Sequence, residues 1–109
     1  MSRRLALLTA VAIAAGAGPL AAEDPGDAGR GHSFAMKVCS ECHGIEATDE
    51  ISPNLSATPF RIVANTPGMS PRALTVWLTN PHPTMPSLVL ERDDMHDVIA
   101  YILSLKARQ

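Results

Sequence analysis

The stretch Cys39-Ser40-Glu41-Cys42-His43 decides how this chain is read. C-x-x-C-H is the spacing by which haem is fixed covalently to a polypeptide. Two thiols three residues apart can add across the two vinyl groups of one haem edge and form two thioethers. The imidazole beside the second thiol is then held where its Nε2 reaches the iron. Other chemistries of paired thiols fit less well. A thioredoxin-like dithiol sits in a βαβ context, and no such pattern surrounds Cys39 and Cys42. A structural zinc site takes four ligands, whereas the chain has no third cysteine and His32, His82 and His96 are scattered. A disulfide between Cys39 and Cys42 would close a strained loop and staple little.

Upstream of this turn the chain changes character. Arg3 and Arg4 precede an apolar run from Leu5 to Ala17, and small residues follow through Ala22. This pattern predicts a secretory signal peptide over 1–22, cleaved after Ala22, with Ala15-Gly16-Ala17 as an earlier possible site. Gly16, Gly18 and Pro19 interrupt the run, which argues against a spanning anchor. No cysteine stands near the cleavage region to carry a lipid. The 109 residues leave room for one domain, expected over 23–109. Losing Arg3 and Arg4 takes the formal charge of the chain from −2 to −4, which argues against a nucleic-acid partner. With one Trp, one Tyr and two Phe, so short a domain has a thin core of its own. An embedded macrocycle would supply the missing apolar bulk, and without it the domain is expected to be largely unfolded.

Four helices are expected. Asp27 can cap one over 28–38, where Gly31, Phe34, Ala35 and Val38 recur near helical spacing. Gly29 and Gly31 weaken that helix and make better sense if another helix crosses closely. After His43 the polar, acidic stretch 44–52 reads as an exposed loop, and Ser52-Pro53-Asn54-Leu55 as a turn or something more specific. Thr58-Pro59 is a cap followed by a first-turn proline, opening a short helix over 59–65. Ser70-Pro71 repeats the device before a helix over 71–79, with Ala73, Leu74, Trp77 and Leu78 on one face. Trp77 is expected at the haem edge. The closing helix, 92–105, carries Met95, Val98, Ile99, Ile102 and Leu103 on one stripe. Asp93 and Asp94 suit its N-terminal dipole, and Lys106 and Arg108 its C-terminal end.

Between the last two helices lies Asn80-Pro81-His82-Pro83-Thr84-Met85-Pro86. Three prolines in six residues exclude helix and central strand. They make a stiff loop with Met85 near its middle, which suits a thioether: so weak an iron ligand must have its position imposed by the backbone.

From these residues the chain resembles the class I c-type cytochromes. The resemblance implies an all-α cytochrome c fold, three main helices plus one short helix wrapped around one covalently attached haem c. It implies thioethers at Cys39 and Cys42, His43 as proximal ligand, and the Met-Pro of Met85-Pro86 as the distal ligand segment. In Ser52-Pro53-Asn54-Leu55, which resembles the family's G-P-x-L with Ser52 for the usual glycine, the Pro53 carbonyl would accept the His43 Nδ1 proton. Leu55 would pack on the haem face. Gly31 and Tyr101 match a glycine of the first helix and an aromatic of the last that pack together. Other distal candidates are placed elsewhere: Met36 in the core, Met69 over the haem edge, Met95 on the last helix, with His82 the bis-histidine alternative. Arg61, Arg72 and Trp77 are candidate partners of the propionates. Ser2-Arg3-Arg4 is set aside as a twin-arginine signal, because such cytochromes receive haem after crossing the membrane unfolded.

Haem with His and Met has both axial positions filled and a raised potential. That suits a periplasmic one-electron carrier, not an enzyme, which meets redox-protein donors and acceptors. No nucleic acid and no small-molecule substrate is expected, and membrane contact comes only through a partner complex. The alternatives are a small haem subunit docked to one periplasmic dehydrogenase and, with an open sixth position, a gas-binding or peroxidase-like site.

Overall fold

The computed structural model describes residues 16–18, 25–80 and 82–107. The signal-peptide expectation thus lies, apart from residues 16–18, outside the described residues, as do Pro81 and Arg108. Four helices follow in order: α1 (Ala28–Val38), α2 (Phe60–Asn65), α3 (Pro71–Thr79) and α4 (Arg92–Ser104). No strand occurs among the described residues, and the fold is all-α.

The caps explain where the helices start. The Asp27 carboxylate accepts from Arg30 N at 2.7 Å, and the Ser70 hydroxyl from Ala73 N at 3.1 Å with Pro71 next in line. Each satisfies one of the free amides of a first turn. At α2 the expectation is corrected. Pro59 is extended, with ψ 142°, and stands at the N-cap, while no side chain caps the helix. The backbone here is instead tied to the end of the Cys39–His43 turn, where Phe60 N donates to the Gly44 carbonyl. At the end of α4 Lys106 reaches across to the Met69 carbonyl at 3.3 Å.

The core is Ala35, Ile45, Phe60, Ala64, Leu74, Val98, Ile99, Tyr101 and Ile102. Two expectations shift here, those for Met36 and for the stretch 44–52. Met36 is exposed rather than core. Met69 is half-buried and packs against the core, as Met95 does. The stretch 44–52 is not simply an exposed loop, because Gly44, Ile45 and Ser52 are buried. Tyr101 explains part of this: its hydroxyl donates to the Ile45 carbonyl at 2.6 Å and draws that residue inward. Burial, then Glu46 and Asp49, push the Tyr101 phenol up from its usual range, so it stays a neutral donor. The His32 ring stands edge-on to Tyr101, centroids 5.0 Å apart, and its Nε2 lies 2.6 Å from Glu46 Oε1.

Helices α1 and α4 cross at Gly31. A Cβ built there would fall 1.9 Å from the Asp97 carbonyl oxygen and 2.8 Å from Tyr101 Cβ. One ion pair locks the crossing. Buried Asp97 accepts from Arg30 Nε at 2.7 Å, Arg30 Nη2 at 3.1 Å and Asp27 N at 2.6 Å. The Arg30 hydrogen bonds, and next the Asp27 amide, hold the Asp97 carboxyl below its usual range. A carboxyl depressed on folding contributes stability that is present above its unfolded pKa, about 3.9. That contribution is lost as pH falls through the lower folded value. Thermal melts should therefore show Asp97→Asn less stable than wild type at neutral pH. The gap should close in acid below the usual aspartate range; a gap independent of pH would show that the ion pair is not the source.

Candidate haem-binding site

The thiols stand where α1 ends. Cys39 is the C-cap of α1, and its carbonyl receives Cys42 N at 3.2 Å and His43 N at 2.9 Å. Those bonds wind 39–43 into one further helical turn, and positions three and four apart on a turn share a face. Cys39, Cys42 and His43 are thus brought to one side by local backbone geometry. Both thiols are free and half-buried. Burial pushes the Cys39 thiol up to about 11, so it is held as a neutral thiol at neutral pH.

A second segment, 52–60, closes over this turn. Asn54 N donates to the Cys42 carbonyl at 3.1 Å, and Phe60 N to the Gly44 carbonyl at 2.8 Å. Gly44 N donates to the Ser52 hydroxyl at 2.9 Å. The ring of His43 has Nδ1 2.7 Å from the Thr58 carbonyl. A carbonyl can only accept, so Nδ1 carries a proton, and in the neutral ring Nε2 then keeps its lone pair. That is the tautomer a metal ligand needs, and a carbonyl on the far nitrogen makes the ligand more basic. Phe60 packs beside the same ring, centroids 5.2 Å apart.

This corrects the expectation for Pro53. Its carbonyl is not the acceptor, and Pro53 is exposed. The physical reason is a turn at Asn54, whose side chain accepts from Ser56 N at 2.9 Å and whose carbonyl accepts from Ala57 N at 2.9 Å. The chain reverses there, and Thr58 rather than Pro53 arrives against the ring. Leu55 is 85% exposed on the protein chain, and Phe60 is the apolar neighbour of His43. Sequence reasoning missed Ser52, Thr58 and Phe60 as parts of the site. A signal existed: Thr58-Pro59-Phe60 repeats the proline-with-apolar pattern of Pro53-Asn54-Leu55, but it also reads as a helix cap.

On the other side, Trp77 of α3 is half-exposed and edge-on to His82, centroids 5.3 Å apart at 84°. Met85 is half-buried, and its amide donates to the His82 carbonyl at 3.3 Å. Thr84, directly before it, holds a left-handed φ of 69°. A β-branched residue takes that conformation only where its surroundings impose it.

The residues present fit a haem. Two thiols and a correctly protonated imidazole share one turn. Two buried side-chain nitrogens, Arg61 Nε and His82 Nδ1, have no hydrogen-bond partner among the described residues, and a group bearing two carboxylates would give the Arg61 guanidinium an acceptor. No group of three or more potential metal-holding side chains occurs among the described residues.

Comparison with known proteins agrees. The family model for cytochrome c matches residues 28–106. A curated relative, cytochrome c-552 of Bradyrhizobium diazoefficiens, is 38% identical over 80 residues, covering 73% of this chain and 76% of its own. No solved structure gives a significant match.

Proposed function

Because the chain belongs to the cytochrome c family, we propose that it is a periplasmic one-electron carrier whose haem iron is ligated by His43 and Met85. That it is a haem c electron carrier follows from the family. Haem c supplies the redox couple, one electron between ferrous and ferric iron. The protein residues set the terms of that exchange. Cys39 and Cys42 are the thioether positions, and His43 the proximal ligand. The observation that carries this reading is the His43 ring, with Nδ1 fixed on the Thr58 carbonyl and Nε2 left free to bind.

Several features support Met85 as the opposite ligand. It is half-buried, its amide is tied back to His82, and the strained Thr84 and Pro86 flank it. The Thr84 strain, typically about 1–3 kcal/mol for such a backbone, persists only where the surrounding loop imposes it. Held by this loop, the Met85 thioether would stay in place in both redox states, which suits electron transfer to protein partners rather than catalysis on a small molecule.

Export is supported by the leader composition of residues 1–22, with the carrier domain over 23–109. No described helix is long and apolar enough to cross a membrane. Trp77, Pro53 and Leu55 remain proposed neighbours of the haem.

The ligand assignment has a direct test. Met85→Ala should remove the absorption band of methionine sulphur bound to ferric iron. It should lower the midpoint potential by at least about 59 mV, a tenfold change in a one-electron equilibrium. Should Met69→Ala do this while Met85→Ala does not, Met69 is the ligand.

A further inference from the structure

We propose that the Ser52 hydroxyl is a positioning group for His43, orienting the iron-binding ring through the peptide unit that follows it. This deepens the haem reading and rests on His43 being the proximal ligand.

The argument begins with backbone freedom. A peptide unit is planar, so a residue's direction is set by the two planes that flank its Cα. The plane before His43 contains the Cys42 carbonyl, which accepts from Asn54 N at 3.1 Å. The plane after it contains Gly44 N, which donates to Ser52 Oγ at 2.9 Å. Both planes are therefore held by one short stretch, Ser52 to Asn54. What remains is rotation of the side chain, and Thr58 of the same segment stops that by accepting from Nδ1. The Gly44 carbonyl, tied to Phe60 N at 2.8 Å, anchors the far end of the segment to the same place.

Among these four bonds, one is made by a side chain other than His43 itself. Ser52 is 5% exposed, and Gly44 is buried. Water has little access to replace the hydroxyl, and a buried amide left without an acceptor is costly. Space is also tight: a Cβ on Gly44 would meet Asp49 Cβ at 2.9 Å and the Ile51 carbonyl at 3.1 Å. The turn cannot easily shift to find another acceptor. A residue without a side-chain oxygen at position 52 would leave the plane after His43 unheld. The Nδ1 to Thr58 bond would then open more often, although neither of its own partners had changed.

The test uses the haem-loaded protein and Ser52→Ala, which removes a single oxygen. The readout is solvent exchange of the His43 Nδ1 proton in the reduced, diamagnetic protein, followed by NMR on histidine-labelled samples. Exchange should quicken about tenfold, the factor expected when one net hydrogen bond is lost. The midpoint potential should rise, because a ring donating less firmly is a weaker base toward iron. Ile99→Ala serves as the comparison, since it destabilises the core from α4 and leaves the partners of all four hydrogen bonds in place. If Ser52→Ala lowers stability but moves exchange and potential no more than Ile99→Ala does at matched stability, Ser52 is only structural and the proposal falls. Failure to find covalent haem in the wild-type protein would instead overturn the haem reading together with this one.

Discussion

Alanine at both Cys39 and Cys42 should yield a chain that carries no covalent haem and loses most of its helical structure. The first half follows from chemistry, since no other thiol is present to form a thioether. The second follows from the size of the core. Nine apolar side chains, mostly small or medium, are buried among the described residues, and α2 is only six residues long. Isolated helices of this length are marginal in water. Domains under about 90 residues bury a modest share of their surface and often need a further element to hold them. Large apolar side chains lie open on the protein chain, Trp77 among them, as expected of a wall that packs against something else. The wild-type protein recovered from the periplasm should stain for haem on a denaturing gel and have the mass of a chain from Glu23 plus haem. The double variant should do neither, and its far-ultraviolet circular dichroism should fall toward that of an unfolded chain. Native-like helical dichroism in the haem-free variant would show that the four helices sustain themselves.

Replacement of Gly31 should be strongly destabilising, because it forces apart the crossing of α1 and α4. Helix propensity alone predicts the opposite, since Gly→Ala in a helix interior gains about 1 kcal/mol. Packing decides the sign. The added Cβ would sit 1.9 Å from the Asp97 carbonyl oxygen and 2.5 Å from its carbon. Those are backbone atoms of α4, so no side chain can swing aside, and the helices must separate. Separation also pulls Arg30 and the Asp27 amide from Asp97, and moves Tyr101 from Ile45. Overpacking costs typically about 1–3 kcal/mol; with the ion pair disturbed as well, the upper end is expected. At roughly 4–8 °C per kcal/mol for a domain of this size, Gly31→Val should melt about 15 °C lower. Gly29→Ala is the matched control. Its Cβ would meet only the Asp27 side chain, at 3.2 Å on an exposed surface, so its melting point should stay nearly unchanged or rise. Equal effects at the two positions would mean that the crossing is looser than the structure shows.

Much of this protein was legible without coordinates because the signals are local. Asp27 and Ser70 each place a cap oxygen three residues before a free amide, and Pro71 is already shaped for a first turn. The ends of α1 and α3 were therefore readable to the residue, and the stripe of Val98, Ile99 and Ile102 marked the buried face of α4. Gly31 was legible as a contact point, because a helix keeps a weakening glycine when another chain needs its space. The misreadings have a different origin. Ile45 and Ser52 looked exposed because their neighbours are polar, yet each is held inward by a hydrogen bond to a residue outside its local run, Ile45 from distant Tyr101 and Ser52 from Gly44 across the loop. Met36 looked apolar enough for the core but faces out.

By itself the sequence determined the chemistry: two thiols and an imidazole on one turn, and a rigid methionine loop before the last helix, because covalent spacing and proline rigidity act over a few residues. Only the tertiary structure decided which carbonyl takes the His43 ring proton. Pro53 and Thr58 lie on the same loop, each beside a proline-containing pattern, and nothing local distinguishes them. The choice falls to Thr58 because Asn54 reverses the chain while Ser52 and Phe60 grip Gly44 from either side. Those bonds join residues that meet only when the loop is folded back on the turn.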